Sequence, residues 1–253
     1  MMRGALAAVF CLAATAAAAD DLVSGLSQDQ IQITSSYTGT DIVVFGAIES
    51  SDAAGINTSR DVVVVVRGPG ADMVVRRKVR VAGVWINRDA MTLFGMPAYY
   101  FVASTRPLKD VTAEETRERY QLGLADVEPQ SVSTHTAAKA EPFRLAAIRG
   151  RARDGLYREN PAGVEFLSYS LFRVRVPVPA TVPRGQYTAE VYLFHDGTVI
   201  SAQSTPLYVE QVGLERQVFS FAHDRPFLYG LAAVLLAVLL GWLSSVVFRQ
   251  RGT

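Results

Sequence analysis

Cysteine is almost missing from this chain. The only one, Cys11, lies among the first nineteen residues. Those residues read as a secretory signal: a basic start at Arg3, an apolar stretch at 5–14, and small residues up to Ala18 and Ala19. Phe10 stands where a lipoprotein signal needs a small residue before its cysteine. Once cleaved after Ala18 or Ala19, the chain is predicted to hold no cysteine. That excludes disulfides, thiolate metal sites, haem attachment and a cysteine nucleophile.

Histidine and lysine are scarce too. The three histidines are His135, His195 and His223, and none sits at metal-ligand spacing from another ligand. Lysine is confined to Lys78, Lys109 and Lys139. No nucleophile elbow, phosphate-binding glycine loop or dinucleotide fingerprint occurs. The expectation is a protein without enzymatic activity, metal or cofactor. The chain holds 25 Lys plus Arg and 24 Asp plus Glu. Setting aside Arg3, Arg249 and Arg251 leaves 22 against 24, so nothing draws the domain to nucleic acid.

Apolar sequence, by contrast, is abundant at the C-terminus. Residues 227–248 carry no charge between Arg225 and Arg249. At about 1.5 Å per residue they make roughly 33 Å of helix, enough to cross a hydrocarbon core. Tyr229 and Trp242 suit the two interfaces, and Arg249 and Arg251 mark the far end as cytoplasmic. The expected topology is a single-pass inner-membrane protein: signal peptide 1–19, periplasmic domain 20–222, anchor and short tail 223–253.

Between these ends, strand patterns dominate. Residues 30–34 and 40–48 read as strands joined by a turn at 37–40, followed by a polar loop at 50–60. Five consecutive valines, Val62 to Val66, predict a central strand covered on both faces. Residues 73–80 alternate, placing Arg76, Lys78 and Arg80 on one exposed face. Strand is expected to continue over 81–86, then 90–94 and 99–104. Helical patterns follow. Thr112 begins an apparent capping box for a helix to Leu122, and Pro142 opens a second helix reaching about Arg158. Strands return at 167–176, 186–194 and 199–209, the last two joined across Asp196-Gly197, a hairpin turn signal. The fold class predicted is mainly β: an Ig-like β-sandwich with a two-helix insertion at about 108–163, plus one C-terminal transmembrane helix.

Two basic clusters stand out: Arg76, Arg77, Lys78 and Arg80, and then Arg144, Arg149, Arg151, Arg153 and Arg158. They read either as solvated faces or as sites for a small anion or anionic headgroups. The most distinctive stretch is Gly83-Val84-Trp85-Ile86-Asn87, with Pro97-Ala98-Tyr99-Tyr100-Phe101 and Ser104-Thr105-Arg106-Pro107-Leu108. Here the chain resembles a transmembrane-protein family of alphaproteobacteria, Alph_Pro_TM, over nearly its whole length. The resemblance carries no catalytic residues. Members of that family are often encoded near permeases of the sulfite exporter type, so the resemblance implies a transport-associated role.

Trp85 is expected to be a core tryptophan with its indole N–H satisfied at a strand end. The alternative places Trp85, Tyr99, Tyr100 and Arg106 on a partner surface, with Ala237 and Gly241 in the anchor meeting a neighbouring span. The function expected is a membrane-anchored periplasmic accessory protein, contacting the lipid bilayer and an integral membrane partner. A periplasmic module that binds or senses a small anion is the alternative.

Overall fold

The computed structural model describes residues 21–34, 37–49, 60–133, 137–211 and 222–249. The signal segment, Cys11, the loop at 50–59, His135 and Arg251 lie outside these residues.

The chain is mainly β. One sheet contains β1 (Asp21–Leu26), β3 (Gly39–Glu49), β11 (Leu171–Pro179) and β10 (Val164–Phe166), in that order. The second runs β2 (Gln30–Ile33), β13 (Thr198–Gln211), β12 (Gly185–His195), β4 (Arg60–Arg67), β7 (Tyr100–Ser104) and β9 (Tyr157–Pro161). A third pairs β5 (Gly70–Val81), β6 (Val84–Pro97) and β8 (Ser131–Val132). Helices α1 (Leu108–Val111), α2 (Glu114–Tyr120) and α3 (Ala137–Arg153) lie between β7 and β9, and α4 (Pro226–Arg249) ends the chain.

The first two sheets close over one hydrophobic core, so the body is a sandwich. From the first come Ile42, Val44, Phe172, Val174 and Val176; from the second, Val191, Leu193, Phe101 and Leu207. The five-valine strand behaves as its composition predicts. Strand β4 sits between β12 and β7, and Val62 to Val66 are all buried. Tyrosine hydroxyls stitch the layers together. Tyr99 donates to the Pro177 carbonyl at 2.6 Å, and Tyr37 donates to the Val178 carbonyl at 3.0 Å. Each supplies a donor to a β11 carbonyl, Tyr99 from the start of β7 in the second sheet and Tyr37 from the segment leading into β3 beside β11.

Several local expectations are corrected by long-range pairing. The segments at 30–34 and 40–48 do not form one hairpin: β2 pairs in parallel with β13, and β3 pairs with β1 and β11. Strand β1, absent from the sequence reading, is held mainly by its ladder to β3 and buries only Leu22. Thr112 is not a helix N-cap. It ends α1, and its hydroxyl donates to the Gly197 carbonyl at 2.6 Å, while Ala113 precedes α2. Pro142 lies inside α3, which begins five residues earlier. The apolar stripe of α3 is Ala140, Phe143, Ala147 and Ile148, all buried. Its continuation to Arg158 is replaced by β9, which pairs in parallel with β7. Asp196 and Gly197 do form the predicted β12–β13 turn, both at positive φ.

Candidate functional site

Residues 81–86 do not continue the preceding strand. Ala82 (φ 47°) and Gly83 (φ 87°) form a two-residue turn, and β5 and β6 fold back on each other from Val81↔Val84 outward. Positive φ at both central positions is the primed hairpin geometry that matches strand twist. The signal in the sequence was Gly83, masked by apolar residues on either side. No residue from Arg76 to Ala90 is buried. The outer part of β5–β6 is therefore a two-stranded ribbon whose two faces both meet solvent.

Register assigns the faces. Val79↔Ile86 and Val81↔Val84 share one side, with the Arg77↔Asp89 pair behind them. Lys78↔Asn87 and Arg80↔Trp85 share the other, with Arg76 further back on β5. The predicted common face of Arg76, Lys78 and Arg80 is thus present. Arg77 Nη2 lies 2.6 Å from Asp89 Oδ2, and Arg80 Nε donates to the Gly83 carbonyl at 3.4 Å. Trp85 is 64% exposed and Val84 63%. This corrects the core assignment of Trp85: its strand passes beyond the edge of the body, where no second layer covers it.

Tyr99 and Tyr100 are 1% and 0% exposed, which corrects their placement on a partner surface. Tyr100 Oη donates to the Gln121 carbonyl at 2.6 Å and accepts from the Gly123 N–H at 2.9 Å. Arg67, over the Tyr100 ring at 5.8 Å, donates to the Tyr120 carbonyl at 2.6 Å and pairs with Glu190. Together they close the C-terminal end of α2, whose last carbonyls lack helical partners. Burial drives the Tyr100 phenol upward. Beside this cluster lies a cleft of about 400 Å³, whose lining includes Arg67, Arg119, Gln121, Glu128, Gln130 and Tyr192.

Arg106 reaches the surface but is engaged with buried Asp61. The second basic cluster is divided. Arg144 pairs with Glu141 at 2.8 Å and donates to the Ala125 and Val127 carbonyls, and this hydrogen bond holds the Glu141 carboxyl below its usual range. Arg149, Arg153 and Arg158 face solvent. Among the described residues, no group of three or more His, Cys, Asp or Glu is placed to hold a metal ion.

Helix α4 contains one window, Pro226–Ser244, long and apolar enough to cross a membrane, with mean hydropathy 2.2. None of that window is buried against the rest of the chain. Ala237 and Gly241 lie within it.

Comparison with curated proteins found no match. Among solved structures, Spo0M, a sporulation control protein from Bacillus subtilis, is 7% identical with a TM-score of 0.29. The alignment covers 81% of this chain and 55% of that one, so the chain spans about half of that protein's length. A family model described as "Putative transmembrane protein (Alph_Pro_TM)" matches residues 21–250. With that match spanning the β body and the exposed apolar helix, the chain belongs to the Alph_Pro_TM family and is a single-pass membrane protein.

Proposed function

We propose that the protein is a non-enzymatic accessory protein of the inner membrane, acting beside an integral membrane partner such as a permease. The observation that carries this reading is the anchor. Its Pro226–Ser244 window is left uncovered by the β body, so lipid or another span must surround it. Gly230, Ala233, Ala237 and Gly241 recur at spacings of three and four and fall on one stripe. Small residues on a stripe let a second helix approach closely in lipid. The signal-like start and the terminal Arg249 and Arg251 support a periplasmic β domain and a cytoplasmic C-terminus. The strand orders support the finer, Ig-like reading of the sandwich: β1-β3-β11-β10 follows the A-B-E-D order, and β13-β12-β4 follows G-F-C.

The test is co-purification from solubilised membranes. The wild-type chain retains an integral membrane protein, and the double variant Ala237→Leu with Gly241→Leu loses it while still inserting. Retention of the partner by an inserted double variant overturns the role given to the anchor.

The second reading, a small-anion module, rests on the cleft containing Arg67 and Arg119. It predicts about 2.7 kcal/mol of stabilisation by the anion at a hundredfold excess over Kd. The accessory reading predicts none.

A further inference from the structure

The β5–β6 ribbon projects about 17 Å beyond Arg76 at strand rise, and the core uses none of its outer side chains. We infer that its tip docks into the headgroup region of an anionic bilayer, giving the β domain a second membrane attachment besides α4.

The side chains are sorted as such a surface requires. The tip presents Val81, Val84, Trp85 and Ile86, each at least 43% exposed. Arg80 stands opposite Trp85 in the tip itself, and Lys78, Arg77, Arg88 and Arg76 lie behind, offset by one carboxylate, Asp89. An apolar edge with an amphipathic tryptophan suits the boundary between acyl chains and headgroups. Basic side chains beside the apolar tip and just behind it suit phosphate. The rest of the chain does not share this bias, since net charge over the whole sequence is only +1. A second copy of the chain would bring five like basic side chains against these five, which disfavours pairing of ribbons. The bilayer is supplied by the chain itself through its Pro226–Ser244 span. The inference uses only that anchoring and is independent of a permease-type partner.

The test uses the full chain reconstituted in vesicles. Trp242→Phe leaves Trp85 as the only tryptophan, since the sequence has two. In vesicles of phosphatidylglycerol and phosphatidylethanolamine, Trp85 emission is expected to shift to the blue. Brominated acyl chains should quench it, and acrylamide should reach it poorly. In phosphatidylcholine alone it should remain accessible to acrylamide. Replacing Arg76, Lys78, Arg80 and Arg88 by Gln should release the tip, by about fivefold for each charge removed. Raised salt should act in the same direction. The melting temperature should stay unchanged, because all four positions are exposed.

The inference is overturned if Trp85 stays accessible in the anionic vesicles, or is shielded equally in phosphatidylcholine. Shielding that grows with protein density would point to self-association and overturn it as well. So would shielding seen only in native membranes, which would assign the ribbon to a protein partner. The vesicles contain no partner, so failure here leaves the accessory role standing, and loss of that role leaves this result standing.

Discussion

Arg106 grips Asp61 through two nitrogens. Its Nε lies 2.9 and 3.0 Å from the two carboxylate oxygens, and Nη2 lies 2.6 Å from Oδ2. The Thr105 hydroxyl adds a third donor at 2.7 Å. Hydrogen bonding to Asp61, and its charge, hold the Arg106 guanidinium above its ordinary pKa. The partners are not equivalent, because Asp61 is buried and the Arg106 side chain is 45% exposed. Arg106→Gln leaves a carboxylate inside the protein without its cation. Asp61→Asn leaves a cation that water can reach. Arg106→Gln is therefore expected to lower Tm more than Asp61→Asn does. Equal losses in thermal melts would show that the ion pair does not balance the buried charge.

The buried tyrosines predict alkaline lability. Tyr99, Tyr100, Tyr157 and Tyr187 are raised from the ordinary value of 10.0, chiefly by burial. Their hydroxyls donate to carbonyls of Pro177, Gln121, Pro97 and Pro183, contacts a phenolate cannot make. A raised folded pKa means that this stability is fully present below pH 10.0 and is lost as pH climbs from there toward the folded values. Each such phenol should remove about 1.4 kcal/mol per pH unit over that window. Phenolate absorbance should rise for the exposed tyrosines first. The four buried ones should ionise together with the loss of circular dichroism. Titration of all ten tyrosines as one class, with the fold intact, would contradict this.

Trp85 and Phe101 should respond to truncation in opposite ways. Phe101 is 1% exposed on β7, between β4 and β9 of the second sheet, so Phe101→Ala is expected to cost about 3–5 kcal/mol. Trp85 stands on the ribbon clear of the core, so Trp85→Ala should change stability by less than about 0.5 kcal/mol. Denaturant unfolding of both variants decides between the positions. A large loss for Trp85→Ala would mean that the ribbon folds back onto the body.

The candidate site was only half legible in the residues. Alternation in β5 placed Arg76, Lys78 and Arg80 on one face, since side-chain direction along a strand has a period of two whatever the strand packs on. Residue type left Trp85 either in the core or, with Tyr99, Tyr100 and Arg106, on a partner surface. The structure divides that group: Trp85 is exposed, and Tyr99 and Tyr100 are buried. Large aromatic residues all favour burial, and local pattern cannot say which of them lie past the edge of the sheet they continue.

By itself, the sequence determined the apolar anchor, the central valine strand, the mainly β class and the Asp196-Gly197 hairpin. Each follows from composition or spacing within a few residues, where propensity and hydrophobicity act alone. Only the tertiary structure decided that β2 and β3 belong to different sheets. It also decided that α3 stops at Arg153 and that 157–158 open a strand, that Thr112 bonds Gly197 instead of capping α2, and that β5 and β6 leave the body as a ribbon. These outcomes depend on partners distant in sequence. Backbone donors and acceptors are satisfied by whichever strand the fold brings alongside, and burial is set by whether a second layer happens to cover the face.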